Sequence, residues 1–552
     1  MTTRRLVKVL RIQGGYATDL APETNDLSHL SLAQNVSFQV SGSARKFGGS
    51  QRLNPVAIPG SPDVVGMFDF WLNGLAGTPS QQFLMVGGDG KFYRHTGSVP
   101  LDITGSVTWT TGARPVFCQF SDTLTVWSSA GDAPVKWQQD ATMTALGGSP
   151  PFARIAIAHQ GRIWAANTNQ NPSRLFYGGY GAANVWSGAD TGFFDIDVED
   201  GDKIIGLASF ADHLIVFKGP VKGSIHRVGG TAPTGADAFF RKPIVSGIPL
   251  QSHQSIVPVI KDLWFMSDRG IHSLQATDET GNFAPSDLSR TLTEFFISGI
   301  NRTRQEFVWG VHYPHRSCVV WTMTLSGSSE NNLVLIASYI RQPEEGLKWS
   351  TLYPRAGLSA CIRIDPTTEK RELVFGTTNG FAERQDINKR GLASSSTGGF
   401  ILNVDRLNVG RLGDAFASAG AYAFRVMTPQ IRLTDVDARG QPRGDSPVTL
   451  SRVYVKSEPL GAHNLNMSLT RDDNGPEFYA FNQGSSGFVL DVDRLDVGKL
   501  GGGRLQTVYA DVAGEARSIS LDMTVGGTGE DVNVYEVGIE YDMMAPVSST
   551  DL

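Results

Sequence analysis

Five carboxylates fall within eight residues of the chain, Asp195, Asp197, Glu199, Asp200 and Asp202, in the string DIDVEDGD. Carboxylates at alternate positions are what a calcium loop uses, because a hard cation gathers several oxygens and a glycine at the sixth position turns the chain sharply. Counted from Asp195, the sixth residue is Asp200, and the glycine, Gly201, comes seventh. The run therefore reads as a solvated turn between strands, with Asp195, Asp197 and Asp200 as weak metal candidates. Asn403, Asp405 and Asn408, with Asp491, Asp493 and Asp496 farther along, repeat the theme; Asp493 and Asp496 complete the list of metal candidates. There the alternate positions hold Leu and Val, which points to packing, so Asp405 and Arg406 read as pinning a tight turn.

Other chemistry is thinly represented. The ten histidines do not cluster, and His312 and His315 sit in an H-Y-P-H turn rather than at helical metal-ligand spacing. Cys118, Cys318 and Cys361 lie far apart, without the C-x-x-C spacing of metal or redox sites. Nucleophile elbows, phosphate loops and dinucleotide fingerprints are missing. The expectation is a protein with no catalytic residues, no metal and no cofactor. A pair of carboxylates assembled in space for glycoside hydrolysis leaves little mark on sequence and is the enzymatic alternative. RGDSP at residues 443 to 447 matches an adhesive string, but a hairpin turn wants the same residues.

The elements that must hold these residues are strands. The 552-residue chain, with 62 Gly and only 18% charged residues, is a poor candidate for long helices or coiled coil. Its opening MTTRRLVKVLRIQGG interrupts the apolar residues with Lys8 and Arg11, so it reads as an alternating strand rather than a signal peptide, and no apolar run is long enough to span a bilayer. No membrane anchor is expected. Net charge is −6, divided as +4 over residues 1 to 54 (seven Lys/Arg, three Asp/Glu) and −8 over residues 395 to 552 (13 against 21), leaving −2 between. An acidic body disfavours tight phosphate binding while permitting a polyanion to slide past.

Between residues 55 and 390, paired apolar runs recur around polar turns, starting at Phe83, Leu124, Ile163, Leu214, Leu263, Val319 and Leu373. Each reads as a β-hairpin. The first five begin 41, 39, 51 and 49 residues apart, near the period of a four-stranded propeller blade. Five to seven blades are expected, with Trp127, Trp164, Phe217, Trp264 and Trp321 packed between them; a β-sandwich using the same aromatics is the alternative. KRGLASSSTGG, residues 389 to 399, reads as a linker. After it FILNVDRLNVGRLG (400 to 413) returns 88 residues later as FVLDVDRLDVGKLG (488 to 501), with ten of 14 positions identical, including Phe400 and Phe488, Asp405 and Asp493, Arg406 and Arg494, and Gly410 and Gly498. This duplication marks residues 391 to 552 as a separate sandwich-like region of two related β units. Its end alternates, with Val537, Ile539 and Tyr541 on one face.

The first 54 residues carry a resemblance. Gly14 and Gly15, then Thr18, Asp19 and Pro22, are followed by Ala33, Asn35, Val36 and Phe38, and by a turn with Gly42, Arg45, Lys46 and Gly49. This pattern resembles the N-terminal signature of the tail nozzle, or tail tubular, proteins of short-tailed bacteriophages. DGDKIIGLASFADHLIVFKGPVKGSIHRVGG, residues 200 to 230, is similar to a blade segment of such proteins. The two signatures cover about a sixth of the chain. The resemblance implies a homo-hexameric ring in the virion tail, assembled in the host cytoplasm beneath portal and adaptor ring and contacting tail fibres or spikes. Its lumen would hold and then release double-stranded DNA without reading sequence. Residues 1 to 54 would be an assembly arm. A receptor-binding or glycan-degrading tail protein is the alternative.

Overall fold

The computed structural model describes residues 5–11, 14–19, 29–38, 43–72, 80–235, 237–277, 282–339, 346–355, 357–387, 424–428, 430–433, 448–459, 463–472, 474–483, 505–525 and 532–542. Pro22, Gly42, the 389–399 stretch, both copies of the duplicated motif with Asp405, Asp493 and Asp496, and the RGDSP string lie outside them. Regular structure among the described residues is strand apart from short helical turns, the longest being the six-residue 3-10 segment Arg302–Phe307. The expected all-β class holds. Two compact units are present: one comprises Arg52–Val334 and Pro354–Gln385, the other Met1–Gln51, Leu335–Tyr353 and Asp386–Leu552.

The unit containing Arg52–Val334 is a succession of antiparallel sheets, each strand hydrogen-bonded to the next in sequence. Five have four strands and begin with Val64–Leu72, Pro115–Phe120, Ala153–His159, Lys203–Phe210 and Val257–Val259. A sixth position holds the hairpin Trp309–Tyr313 with Cys318–Met323, and a seventh holds Ser359–Ile364, Arg371–Gly376 and Ala382–Ile387. Six of the paired runs read from sequence are the second and third strands of their sheets. Met85 faces Tyr93, Val126 faces Val135, Ala165 faces Phe176, Val216 faces His226, Phe265 faces His272 and Val374 faces Arg384. These second strands are apolar at consecutive positions because both faces are covered; every residue of Arg162–Thr168 is buried.

Aromatic contacts link each of the first five sheets to its successor. Phe68 meets Phe117 with ring centroids 5.2 Å apart, Trp127 meets Trp186 at 5.6 Å, Trp164 meets Phe239 at 5.0 Å, Phe217 meets Phe265 at 4.9 Å and Trp264 meets Trp321 at 6.3 Å. Such pairs add about 0.5–1.5 kcal/mol each beyond area burial. The Asn331 amide donates to the Gly357 carbonyl at 3.2 Å, linking sixth to seventh. The Ser359 hydroxyl donates to the Val64 carbonyl at 2.8 Å, linking seventh to first. Asn54, fully buried, joins the start of this unit to its end: its amide donates to Gly380 O at 2.9 Å and its side-chain oxygen accepts from Ala382 N at 2.8 Å, beside a backbone bond from Leu53 N to Ala382 O at 2.7 Å.

The other unit has two sheets sharing one core. In one, Val532–Asp542 lies between Val448–Pro459 and the pair Arg5–Arg11 and Ala44–Lys46. In the other, Leu32–Gln34 lies between Leu347–Leu352, parallel to it, and Phe424–Met427, which continues through Ser518–Val525 and His463–Arg471 to Glu477–Gln483. Val453, Val455, Val537 and Ile539 from the first meet Val426, Leu465, Met467 and Met523 from the second in that core, joined by Ala33, Val36 and Phe38. Val537, Ile539 and Tyr541 are all buried, as their alternation predicts.

Candidate functional site

The acidic run joins the third sheet to the fourth, from the last strand Gly192–Asp195 through a 3-10 turn, Val198–Asp200, to Lys203–Phe210. Its carboxylates are already engaged by protein groups. Asp195 takes two hydrogen bonds from the Arg174 guanidinium, at 2.8 and 3.0 Å, which hold its carboxyl below the usual range. Its carbonyl accepts from Arg241. Asp197 has left-handed backbone, φ 44°, and points a carboxylate oxygen at His226 Nε2, 3.3 Å away. Burial lowers the His226 value despite that neighbour.

Lys218 sits at the centre of the loop. Its side chain is fully buried, and its ammonium donates to Ile196 O at 2.9 Å, Asp197 O at 2.6 Å and the Asp200 carboxylate at 2.7 Å. Three donors meet three acceptors, which is what a buried ammonium requires. Asp202, also buried, accepts backbone N–H groups of Val221 and Lys222 at 3.0 Å and Gly223 at 2.7 Å, fixing the turn between the second and third strands of the fourth sheet. The arrangement neutralises charge and fixes a loop. Among the described residues no group of three or more His, Cys, Asp or Glu is disposed to hold a metal ion.

Two described residues of the N-terminal signature, Gly15 and Asn35, occupy positions that suit their types. Gly15 has φ +77°, and a Cβ there would come within 2.9 Å of Trp349 N; a glycine meets both demands. Asn35, buried with φ 57°, closes a ring with the chain at Thr351 and Tyr353: its N–H donates to Thr351 O at 2.6 Å, its amide to Tyr353 O at 2.8 Å, and its side-chain oxygen accepts from Tyr353 N at 3.0 Å. Asparagine suits the left-handed region and supplies donor and acceptor together. Arg45 lies opposite Ser37 on one side and Asn533 on the other, and Lys46 lies opposite Val36. The Thr18 hydroxyl donates to Asp19 at 2.9 Å. Gly14 stands against the His29 ring, 2.8 Å from where a Cβ would be.

His312 lies at the end of Trp309–Tyr313 and His315 in the 3-10 turn that follows, with burial lowering the His312 value. Cys118 and Cys318 are buried free thiols and Cys361 is half-buried. Burial raises the Cys118 value to about 12 and raises that of Cys361 too, which makes both poor nucleophiles. Among the described residues no helix is long and apolar enough to cross a membrane.

One feature escaped the sequence reading. A cavity of about 480 Å³ opens where the chain enters the first, second, sixth and seventh sheets, lined by Asp63, Asp89, Arg114, Arg304, Phe307 and Glu330 among others. The Arg114 and Arg304 guanidinium carbons lie 4.5 and 3.8 Å from the centroid of the Phe307 ring. Arg114 is anchored by hydrogen bonds to Phe307 O at 3.1 Å and Leu358 O at 2.7 Å. Burial, and then the Arg304 charge, lower the Arg114 value to about 10. Arginine, threonine and glutamine dominate the local string RTRQEF, and nothing in its spacing points across the molecule to Arg114.

No protein-family model matches the chain, and no curated protein matches it. Among solved structures it is similar to the crystal structure of BBS1N in complex with ARL6DN, soaked with mercury, at 13% identity over 62% of this chain and 97% of that one, with a TM-score of 0.37. It is also similar to the computationally designed Ika8 protein, at 8% identity over 61% of this chain and 100% of that one, with a TM-score of 0.33.

Proposed function

We propose that this chain is a structural virion protein, the tail nozzle subunit of a short-tailed bacteriophage. It forms a homo-hexameric ring below the portal and adaptor, retains packaged double-stranded DNA and provides the channel for ejection. Its work is mechanical and no residue has a catalytic role. The observation that carries this reading is the fit between the N-terminal signature and the backbone it serves. Gly15 and Asn35, two of the residues by which the segment resembles nozzle proteins, stand where φ is positive and where the Leu347–Leu352 strand or its end is met. A resemblance seated on such positions concerns the framework rather than chance surface residues.

In the same reading the unit containing Arg52–Val334 is a seven-bladed β-propeller and the other unit is a β-sandwich. Aromatic contacts along the first six sheets, the Asn331 bond from sixth to seventh, the Ser359 bond from seventh to first and the Asn54 link support the propeller. Engagement of Asp195, Asp197 and Asp200 by Arg174, His226 and Lys218 leaves little to favour hydrolysis at the acidic run. Native mass spectrometry of the purified chain, alone and with its tail adaptor, is the test: a hexamer is expected in at least one sample. Monomer in both overturns the reading.

A further inference from the structure

We infer that the cavity lined by the Arg114–Phe307–Arg304 stack is a binding site for an acidic sugar, a hexuronate held through its carboxylate. The inference lies wholly within one unit and does not depend on ring assembly. Three observations build it. First, the cavity's volume, about 480 Å³, falls within the range of small-ligand pockets, roughly 300–1,000 Å³. Secondly, the cationic wall is set before any ligand arrives. Arg114 Nη1 is fixed by two carbonyl oxygens, at 2.7 and 3.1 Å, and Arg304 stacks on the same ring 3.8 Å away. The Nε atom of Arg304 is buried without a hydrogen-bond partner. Two guanidiniums on one ring, one of them anchored, are matched by a planar carboxylate, which a charged fork binds more tightly than a neutral group.

Thirdly, the acidic part of the lining selects among anions. Asp63, Asp89 and Glu330 also line the cavity. Part of Asp89 is committed, accepting from the Tyr93 hydroxyl at 2.6 Å and from Lys91 N at 3.2 Å. A bare anion such as sulfate would gain the arginines but face these carboxylates with nothing to donate. A sugar acid resolves the conflict, because its single carboxylate meets the arginines while its ring hydroxyls donate to the carboxylates. The cavity is therefore expected to prefer a uronate both to the neutral hexose and to a simple carboxylate.

The test is titration of the full chain with glucuronate, galacturonate, glucose and acetate, followed by calorimetry and ligand-observed NMR. Binding of at least one hexuronate is expected, with glucose and acetate weaker by about tenfold or more, as loss of a charge-assisted hydrogen bond or of the hydroxyl contacts implies. Arg304→Gln, at a side chain with no structural hydrogen bond to its Nε, is expected to weaken the hexuronate by about tenfold with an unchanged melting temperature. Asp63→Asn should narrow the preference for the hexuronate over acetate, because it removes an acceptor for sugar hydroxyls and a charge that repels both carboxylates alike. The inference is overturned by hexuronate silence, by glucose or acetate binding as well as the hexuronate, or by an Arg304→Gln protein of wild-type affinity.

Discussion

Lys218 and Asp195 both serve the acidic run, from different strands, yet differ in energetic weight. Removing the buried Lys218 ammonium strands two carbonyls and the Asp200 carboxylate, so Lys218→Met is expected to cost about 3–5 kcal/mol in urea unfolding. Asp195 and Arg174 form a partly exposed pair, and Asp195→Ala is expected to cost less than about 1 kcal/mol. A large loss for Asp195→Ala, or a small one for Lys218→Met, would contradict the neutralised-loop reading. Histidines give a second prediction. Burial depresses His95 and His159 to about 4 and lowers His226 and His272 as well. The folded-state values lie below the unfolded value of about 6.5, so unfolding takes up protons between the two. This contribution is fully present above pH about 6.5 and is lost as pH falls toward 4, by up to roughly 1.4 kcal/mol per pH unit for each histidine. His159→Gln, which also alters the 2.8 Å contact with Ser209, should flatten the slope of unfolding free energy measured across that window. From sequence the five carboxylates were visible but their partners were not, because Arg174, Lys218 and His226 reach them from other strands.

At the scale of elements the hairpins were legible, since a covered strand must be apolar at consecutive positions and a turn must follow it. Residues Leu124 to Ser128 show this, all buried in one strand. What sequence did not reveal was the link from the start of the unit containing Arg52–Val334 to its end. Asn54 is a single polar residue in an ordinary loop string, yet it is fully buried and bonded to Gly380 and Ala382, over 300 residues away. Asn54→Ala leaves the Ala382 N–H without its acceptor and takes the side-chain donor away from the Gly380 and Val56 carbonyls. It is expected to cost about 2–4 kcal/mol and to speed hydrogen exchange at Arg371–Gly376 and Ala382–Ile387 more than in the sheet of Ala153–His159. Equal exchange in both regions would show that Asn54 does not hold the seam. The Arg114 and Arg304 cavity was hidden for the same reason: hydrogen-bonded residues 193 positions apart leave no local pattern.

For the whole molecule, the order of segments in the chain differs from their order in space. Hairpin spacing, the 389–399 linker and the duplicated motif divided the sequence into residues 1 to 54, 55 to 390 and 391 to 552; the unit containing Asp386–Leu552 also takes in Met1–Gln51 and Leu335–Tyr353. A fragment of residues 386 to 552 lacks Leu32–Gln34 beside Phe424–Met427, and lacks the core residues Ala33, Val36 and Phe38. It is expected to show no cooperative thermal unfolding by circular dichroism, whereas a cooperative transition would mean that the N-terminal strands are dispensable. The pairing of Arg5–Arg11 with Val532–Asp542 has a consequence for synthesis. Leu10 is translated 527 residues before its partner Val537. At roughly 5–20 residues per second it waits about half a minute to two minutes on the ribosome. Through that interval an alternating apolar strand is held without its template, and a nascent-chain chaperone has its clearest reason to bind there.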